Sequence, residues 1–495
     1  MTTSMLQPSE MFIRKTEKEI MASVKRWEDI ELSEKFDRYN KAIEHIIQFS
    51  RKHGLIVYGG QAINALLPVE SKVYGKKDIN DVDIYSHRPL DHAKLLAGEL
   101  DDLFDLDFVE AKYSFMHDNS YSVFANGEKL ADFTYMDKVS IDSLFLRIER
   151  NMQPMVPVEY LLYSMHIEFS HPLITPDRWG KTFNRFVTLL QAFPISYDKT
   201  CFETCIIKPE KELEKIITIM NKHLKLIPAD KRPPIIGFGA SVGMAATVLE
   251  EGKKAFKNMV PACDKIACME VLSTDAVADA LLMRDYIMKE AKLNDEIGIF
   301  RNGLWINELS ETKDQNSEEE EEEAKTKHKK KAMDGQPLDE VILMYKNRVI
   351  ASFVKVEVCS HFVISNDIVY GGIDTVLTFM YKRFLFGPSN KSPSSPTSLT
   401  LKCMIHMMYD IQFKSADRKK INMVKRFSTS ECYGKHMTFR DSFQEQLDKR
   451  SKNKFYYKAY LPEEREHRRL ERMKETNAAK TSKTGNKKTR NKKKS

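Results

Sequence analysis

Three short stretches hold residues whose types and spacing could do chemistry. Asn80-Asp81-Val82-Asp83-Ile84-Tyr85 carries two carboxylates. In an extended strand side chains alternate faces, so Asp81 and Asp83 leave the sheet together, with Val82 and Ile84 on the other side. Like charges held that close need a compensating cation or a proton. Hard divalent ions such as Mg²⁺ take carboxylate oxygens and keep positions open for phosphates. Asp132, alone in the apolar run Leu130-Ala131-Asp132-Phe133-Thr134-Tyr135, could supply a third ligand from a neighbouring strand. Three carboxylates can hold two metals about 3.5–4 Å apart, the arrangement of in-line phosphoryl displacement. Upstream, Leu55-Ile56-Val57-Tyr58-Gly59-Gly60 ends an apolar run in two glycines just before a helical pattern (Ala62, Ile63, Leu66, Leu67). Glycine lets backbone approach a phosphate, and a helix N-terminus favours anions.

Taken singly, each piece also fits a blander reading. Asp81 and Asp83 could sit on a solvated strand edge, Asp132 could be a helix cap or half of an ion pair, and Gly59-Gly60 could be an ordinary turn. The joint order is far more specific: strand, Gly-Gly, helix, then Asp-x-Asp, then a strand with one Asp. On Val57-Tyr58-Gly59-Gly60-Gln61-Ala62-Ile63, Asp81-Val82-Asp83-Ile84-Tyr85-Ser86 and Ala131-Asp132-Phe133-Thr134-Tyr135, the chain resembles the polymerase-β-type nucleotidyltransferases. Within them it is similar to the poly(A) polymerase catalytic subunits of large cytoplasmic DNA viruses (poxviral, asfarviral and giant-virus), above all the mimivirus-like form. Tyr160-Leu161-Leu162 through Arg178-Trp179-Gly180-Lys181 also fits. The resemblance spans roughly residues 35–385.

The resemblance implies template-independent transfer of AMP from ATP to the 3′-hydroxyl of viral mRNA, with release of pyrophosphate. Asp81, Asp83 and Asp132 would be the catalytic metal ligands for two Mg²⁺ or Mn²⁺ ions. Gly59, Gly60 and Gln61 would hold the triphosphate. Preference for ATP is implied in the same way, since no residue visibly reads adenine. The giant-virus relatives imply a homodimer; the poxviral ones use a second subunit. Host cytoplasm, the viral factory and packaging in the virion belong to the same expectation. A CCA-adding or uridylyl transferase, and a non-catalytic RNA-binding subunit, stay open as alternatives. One departure stands out: twenty residues separate Gly60 from Asp81, longer than the family's usual spacing. The extra segment Val69–Lys77 carries Lys72, Lys76 and Lys77. It reads as a basic hairpin over the nucleotide or RNA, or as a plain loop.

These residues need elements to position them. The chain has 495 residues, 42% of them hydrophobic and 30% charged, enough for two or three domains. Seven cysteines without zinc spacing point to a reducing compartment and no structural metal. No apolar run approaches 18 residues and Met1-Thr2-Thr3-Ser4 opens no leader pattern, so neither a membrane span nor a secretion signal is expected. Phe12, Ile13, Ile20, Met21, Val24 and Trp27, then Ile43, Ile46 and Ile47, recur at helical spacing and read as core packing. Between Asp83 and Asp132 the pattern predicts a helix (Leu90–Leu103), strand-like runs Phe104–Tyr113 and Ser120–Phe124, and a hairpin at Asn126-Gly127. That is a mixed sheet with helices on one side. His166, Glu168 and His171 lack the spacing of a zinc-binding helix face. Arg178, Lys181 and Arg185 lie about a helical turn apart, a solvated face or a contact for triphosphate (Arg178, Lys181) and RNA (Arg185).

The second half echoes the first. Ile235-Ile236-Gly237-Phe238-Gly239-Ala240 resembles Leu55 to Gly60 at an offset of 180 residues, which sets Gly239 on Gly59. Ala267 to Ser273 can be laid on Asn80 to Ser86, with Cys268 where Asp81 stands and only Glu270 keeping a carboxylate. A late strand, Val349–Val358, matches the Asp132 strand without its carboxylate. The expected architecture is α+β: an N-terminal helical segment (1–52), a catalytic nucleotidyltransferase domain (53–195), and a degenerate copy (196–386) carrying an acidic loop (310–333). A linker (387–400), a C-terminal helical region (401–462) and a basic disordered tail (463–495) follow. The loop includes Glu318–Glu323, and the tail has eight Lys or Arg after residue 479 and no acid. Such a tail is an electrostatic footprint for nucleic acid.

Overall fold

The computed structural model describes residues 10–75, 80–104, 108–114, 119–148, 154–171, 173, 176–196, 199–229, 231–248, 259–293, 295–301, 304–305, 339–356, 358–365, 367–387, 394–416, 432–451, 460 and 462. Lys76, Lys77, the acidic stretch 310–333 and the tail from 463 lie outside them. The chain divides into two compact units: Met1–Asn64, Lys72–Tyr135 and Phe455–Ser495 form the first, Ala65–Ser71 and Met136–Lys454 the second. No helix among the described residues is long and apolar enough to cross a membrane.

In the first unit the order is α1 (Glu10–Lys52), β1 (Ile56–Tyr58), α2 (Gly59–Leu66), β2 (Val82–Ser86), α3 (Pro89–Phe104), β3 (Glu110–Tyr113), β4 (Ser120–Ala125) and β5 (Glu128–Tyr135). The sheet runs β1-β2-β5-β4-β3. Only β2 and β5 are parallel. Val82, Ile84, Ala131 and Phe133 are buried, and the Phe133 ring meets Phe49 of α1 edge-on at 6.2 Å. That is the helix-covered face, and it leaves the odd positions of β2 facing the other way. Asn126 and Gly127, both at positive φ, make the predicted hairpin. The C-terminal part of α1 packs as its spacing predicts, with Tyr39, Ala42, Ile46 and Phe49 buried. Its first half does not: Ile20, Met21 and Val24 are exposed. The periodicity there marks a helical face, not a core contact. Phe12, Ile13 and Trp27 have side chains outside the described set.

The second unit opens with α4 (Lys138–Phe145), α5 (Val158–Ser170), α6 (Trp179–Ala192), α7 (Lys199–Cys205), β6 (Ile206–Ile207), α8 (Lys211–Leu226), β7 (Ile235–Ile236), α9 (Gly237–Val248), β8 (Val260–Pro261), β9 (Met269–Ser273) and α10 (Ala276–Ala291). It continues with β10 (Gly298–Arg301), β11 (Leu304–Trp305), β12 (Glu340–Tyr345), β13 (Arg348–Lys355), β14 (Ser360–Ser365), β15 (Ile368–Gly371), α11 (Ile373–Phe386), α12 (Pro396–Ala416), β16 (Cys432–Tyr433) and α13 (Phe439–Ser451). Its large sheet is ordered β11-β10-β12-β13-β9-β7-β15-β14-β16. Inside it, β7-β9-β13-β12-β10 repeats β1-β2-β5-β4-β3, with the same single parallel pair, β9 with β13. Helices α9 and α10 follow β7 and β9 as α2 and α3 follow β1 and β2. The expected echo is present in the fold, with one correction. Ile236 pairs with Glu270 as Tyr58 pairs with Asp83. Gly237 is at φ +60° as Gly59 is at +66°. The counterpart of Gly59 is therefore Gly237, not Gly239.

Two boundaries differ from the sequence reading. Residues 136–195 fall in the second unit, not with the catalytic domain, because α5 buries one side within it. His166 Nδ1 bonds Asp374 of α11 at 2.8 Å and its Nε2 bonds the Tyr409 hydroxyl of α12 at 2.7 Å. The expected linker 387–400 ends as helix: Pro396 opens α12, and Ser395 Oγ accepts from the Ser398 amide at 3.2 Å. Four cysteines, scattered in sequence, form two disulfides, Cys201–Cys403 and Cys359–Cys432. These pairs depart from the reducing setting expected of the scattered cysteines; separations of 202 and 73 residues leave no local spacing that marks them.

Candidate active site

The carboxylates are set by register. Asp83 of β2 stands opposite Asp132 of β5 on parallel strands, and Asp81 precedes Asp83 by two residues on the same face. One oxygen from each of Asp81, Asp83 and Asp132 lies within 4.8 Å of the others. Ser122, across from Asp132 on β4, donates its hydroxyl to Asp132 Oδ1. Three half-buried carboxylates are the oxygen donor set that hard divalent cations prefer, so the site fits Mg²⁺ or Mn²⁺.

Gly59 closes the floor of the site. Its φ of +66° is the left-handed region, and a Cβ there would collide with the Asp83 carboxylate. The α2 N-terminus therefore starts directly beside Asp83. At Gly60 a Cβ would strike the Tyr74 hydroxyl, so the inserted segment folds back over the Gly-Gly turn. The Tyr74 amide bonds Asn64 Oδ1 at 3.2 Å, and Lys72 Nζ donates to the Asn64 carbonyl. Gln61 Nε2 donates to the Asn80 carbonyl at 3.0 Å, which ties α2 to the residue before Asp81.

Sequence reasoning missed Lys129. Its Nζ lies 2.5 Å from Asp81 Oδ2 and 2.6 Å from Asp132 Oδ2. Strict alternation would turn Lys129 away from Asp132, three residues on. A bulge reverses this: Val123 pairs with Ala131 but Phe124 pairs with Lys129, leaving Leu130 as the extra residue. Leu130 and Ala131 are both buried, and Lys129 swings onto the carboxylate face. Burial alone would pull its ammonium pKa down; hydrogen bonds to Asp132 and Asp81, and their charge, outweigh that and hold it above the ordinary lysine value.

The remaining predicted residues belong to the second unit. Arg178 Nη2 pairs with Glu168 Oε1 at 3.3 Å. Lys181 is exposed and Arg185 half-buried on α6. His171 bonds the Cys359 carbonyl at 3.0 Å and Glu168 accepts from Thr182 at 2.5 Å.

The echoed position in the second unit is a closed ion cluster. Cys268 and Glu270 are buried. Arg383 of α11 spans Glu270 at 2.6 Å and Glu340 at 2.7 Å, and Ser352 Oγ donates to Glu340 at 2.6 Å. Ser352 occupies the register position of Asp132. Burial pushes the Cys268 thiol upward, so position 268 supplies no anion where the first copy has Asp81.

Residues 44–175 match the family model of the poly(A) polymerase catalytic subunit. Among solved structures the chain is similar to the Megavirus polyadenylate synthase, with a TM-score of 0.66 at 16% identity. That likeness covers 91% of this chain and 86% of the other, and at this identity it speaks to the fold. No curated protein matches the chain.

Proposed function

We propose that the chain is a poly(A) polymerase that adds AMP from ATP to the 3′-hydroxyl of mRNA by a two-metal reaction. One observation carries this: within the matched domain, Asp81, Asp83 and Asp132 converge beside the positive-φ Gly59 that starts α2. Asp83 and Asp132, opposite each other in register, and Asp81 beside them would hold Mg²⁺ or Mn²⁺. Bound there, such ions lower the pKa of an attacking hydroxyl and offset charge on departing pyrophosphate. Gly59 brings backbone amides of α2 to the anionic substrate without a side chain in the way. Ser122 fixes Oδ1 of Asp132, so the cation would be taken at Oδ2, which Lys129 holds in this structure. Gln61 acts through the Asn80 carbonyl, setting the entry to β2. RNA is favoured as acceptor by the basic tail, whose charge suits a phosphate backbone.

The test is extension of a labelled RNA primer with each nucleoside triphosphate in turn, with Mg²⁺ or Mn²⁺, beside Asp81→Ala/Asp83→Ala. Long products with ATP alone, lost in the variant, are expected. A few residues added from CTP or UTP would assign a different terminal transferase. RNA bound without extension would leave a binding subunit.

A further inference from the structure

The two copies of the fold neutralise their carboxylates in opposite ways, and the contrast assigns a role to Lys129. Strands β4–β5 and β12–β13 repeat each other residue for residue. Ser122 pairs with Asp132 as Ile342 pairs with Ser352; Phe124 pairs with Lys129 as Met344 pairs with Val349. The bulge recurs too, with Leu130 and Ile350 the extra residues. It delivers Lys129 to the carboxylate face in the copy with three carboxylates and Val349 in the copy where only Glu270 occupies a matching position. In that second copy the cation comes from Arg383, whose side chain is 11% exposed and clamped between Glu270 and Glu340. Withdrawing it would strand buried charges. Lys129 is 39% exposed, a point charge on a flexible stem, between Asp81 at 30% and Asp132 at 14%. One cation is locked; the other can be exchanged.

We propose that Lys129 is a positioning residue that serves as the exchangeable counter-ion of the carboxylate triad. Without substrate its ammonium holds Asp81 and Asp132 together and competes with divalent cations for them. A cation is then taken up well only with a triphosphate, which carries metal in and offers the ammonium another anion. This rests on reading the triad as metal ligands.

The experiment is calorimetric titration of Mn²⁺ into the nucleotide-free, full-length protein at fixed ionic strength. Wild type, Lys129→Met, Lys129→Arg and Asp83→Asn are compared. Lys129→Met is expected to bind Mn²⁺ about fivefold to tenfold tighter than wild type, the scale of one or two half-exposed ion pairs removed. Lys129→Arg is expected to gain nothing, and a non-hydrolysable ATP analogue should narrow the difference between Lys129→Met and wild type. A lysine that only braced the site would give the reverse, since a loosened site binds metal less well. Equal or weaker binding by Lys129→Met, with Mn²⁺ still lost in Asp83→Asn, overturns the role of Lys129 alone. Mn²⁺ binding that Asp83→Asn leaves intact, or none at all, overturns the triad reading and this inference together.

Discussion

Ser86 ends β2, the strand that carries Asp83, and its hydroxyl serves two partners. It accepts from the Arg88 amide at 3.0 Å and lies 2.7 Å from His92 Nδ1. The direction of the Ser86–His92 hydrogen bond follows the imidazole tautomer. His92 is buried, with His53 and His87 rings 5.7 Å away. Burial first, then the charges of His53, His87 and Arg88, lower its pKa from 6.5 to about 4, against a smaller upward pull from Asp91. The folded pKa lies below the unfolded one. The contribution is therefore full above pH 6.5 and is lost as pH falls toward 4, up to about 3 kcal/mol. Urea unfolding at pH 7 and pH 4.5 should show a smaller loss for His92→Gln than for wild type; parallel losses would remove His92 from the account. At this scale the sequence was readable where alternation held. Asp81, Asp83 and Asp132 fall on one face because β2 and β5 are regular there. Lys129 was illegible because a bulge is a register event between two strands, and no spacing within one strand reveals it.

Whole elements recur in the two copies together with their local devices. Ser273 closes β9 as Ser86 closes β2: it accepts from the Asp275 amide at 3.0 Å and donates to Asp279 at 2.5 Å, six residues on, where the first copy has His92. Strand order and the Gly-turn-helix step survive in both copies, while the side chains on the active face diverged. The echo was legible because apolar runs and glycines set strands and turns. Its register slipped by two residues because two glycines, Gly237 and Gly239, competed for one role, and only backbone φ decides between them. Arg383 was out of reach, since α11 is more than a hundred residues from Glu270 in sequence. It now clamps β9 and β12 through Glu270 and Glu340. Arg383→Met leaves two buried carboxylates without a cation and should cost about 3–5 kcal/mol in denaturant unfolding of the full chain. Adding Glu340→Gln to that variant should recover part of the loss. A single Arg383→Met cost below about 1 kcal/mol would mean the cluster is weakly held.

At the scale of the whole molecule, the C-terminal boundary drawn from composition differs from the compact units of the fold. Residues beyond 454 belong to the first unit, although composition ran a helical region on to 462. Tyr460 pairs with Ala111 on the outer strand β3, amide to carbonyl in both directions at 2.9 and 2.8 Å, and Lys94 Nζ lies 4.1 Å over the Tyr460 ring. A lone bridge carries no hydrophobic pattern, so nothing in residues 455–462 announced it. Its physical effect is to cover an edge that would otherwise offer unpaired amides and carbonyls to another chain. The basic run after residue 479 holds eight Lys or Arg and no acid, and under the proposed function its charge serves RNA. Two truncations separate them. Ending the chain at 462 removes the tail's charge and keeps the bridge: RNA affinity should fall and its salt dependence flatten, with thermal stability unchanged. Ending it at 454 also strips the edge, so the melting temperature should drop by a few degrees, from about 1–2 kcal/mol of lost pairing and cation–π contact, and aggregation should rise. Equal melting temperatures for the two would show that Tyr460 does not hold the edge, and an unaltered salt slope in both would place RNA contact elsewhere on the chain.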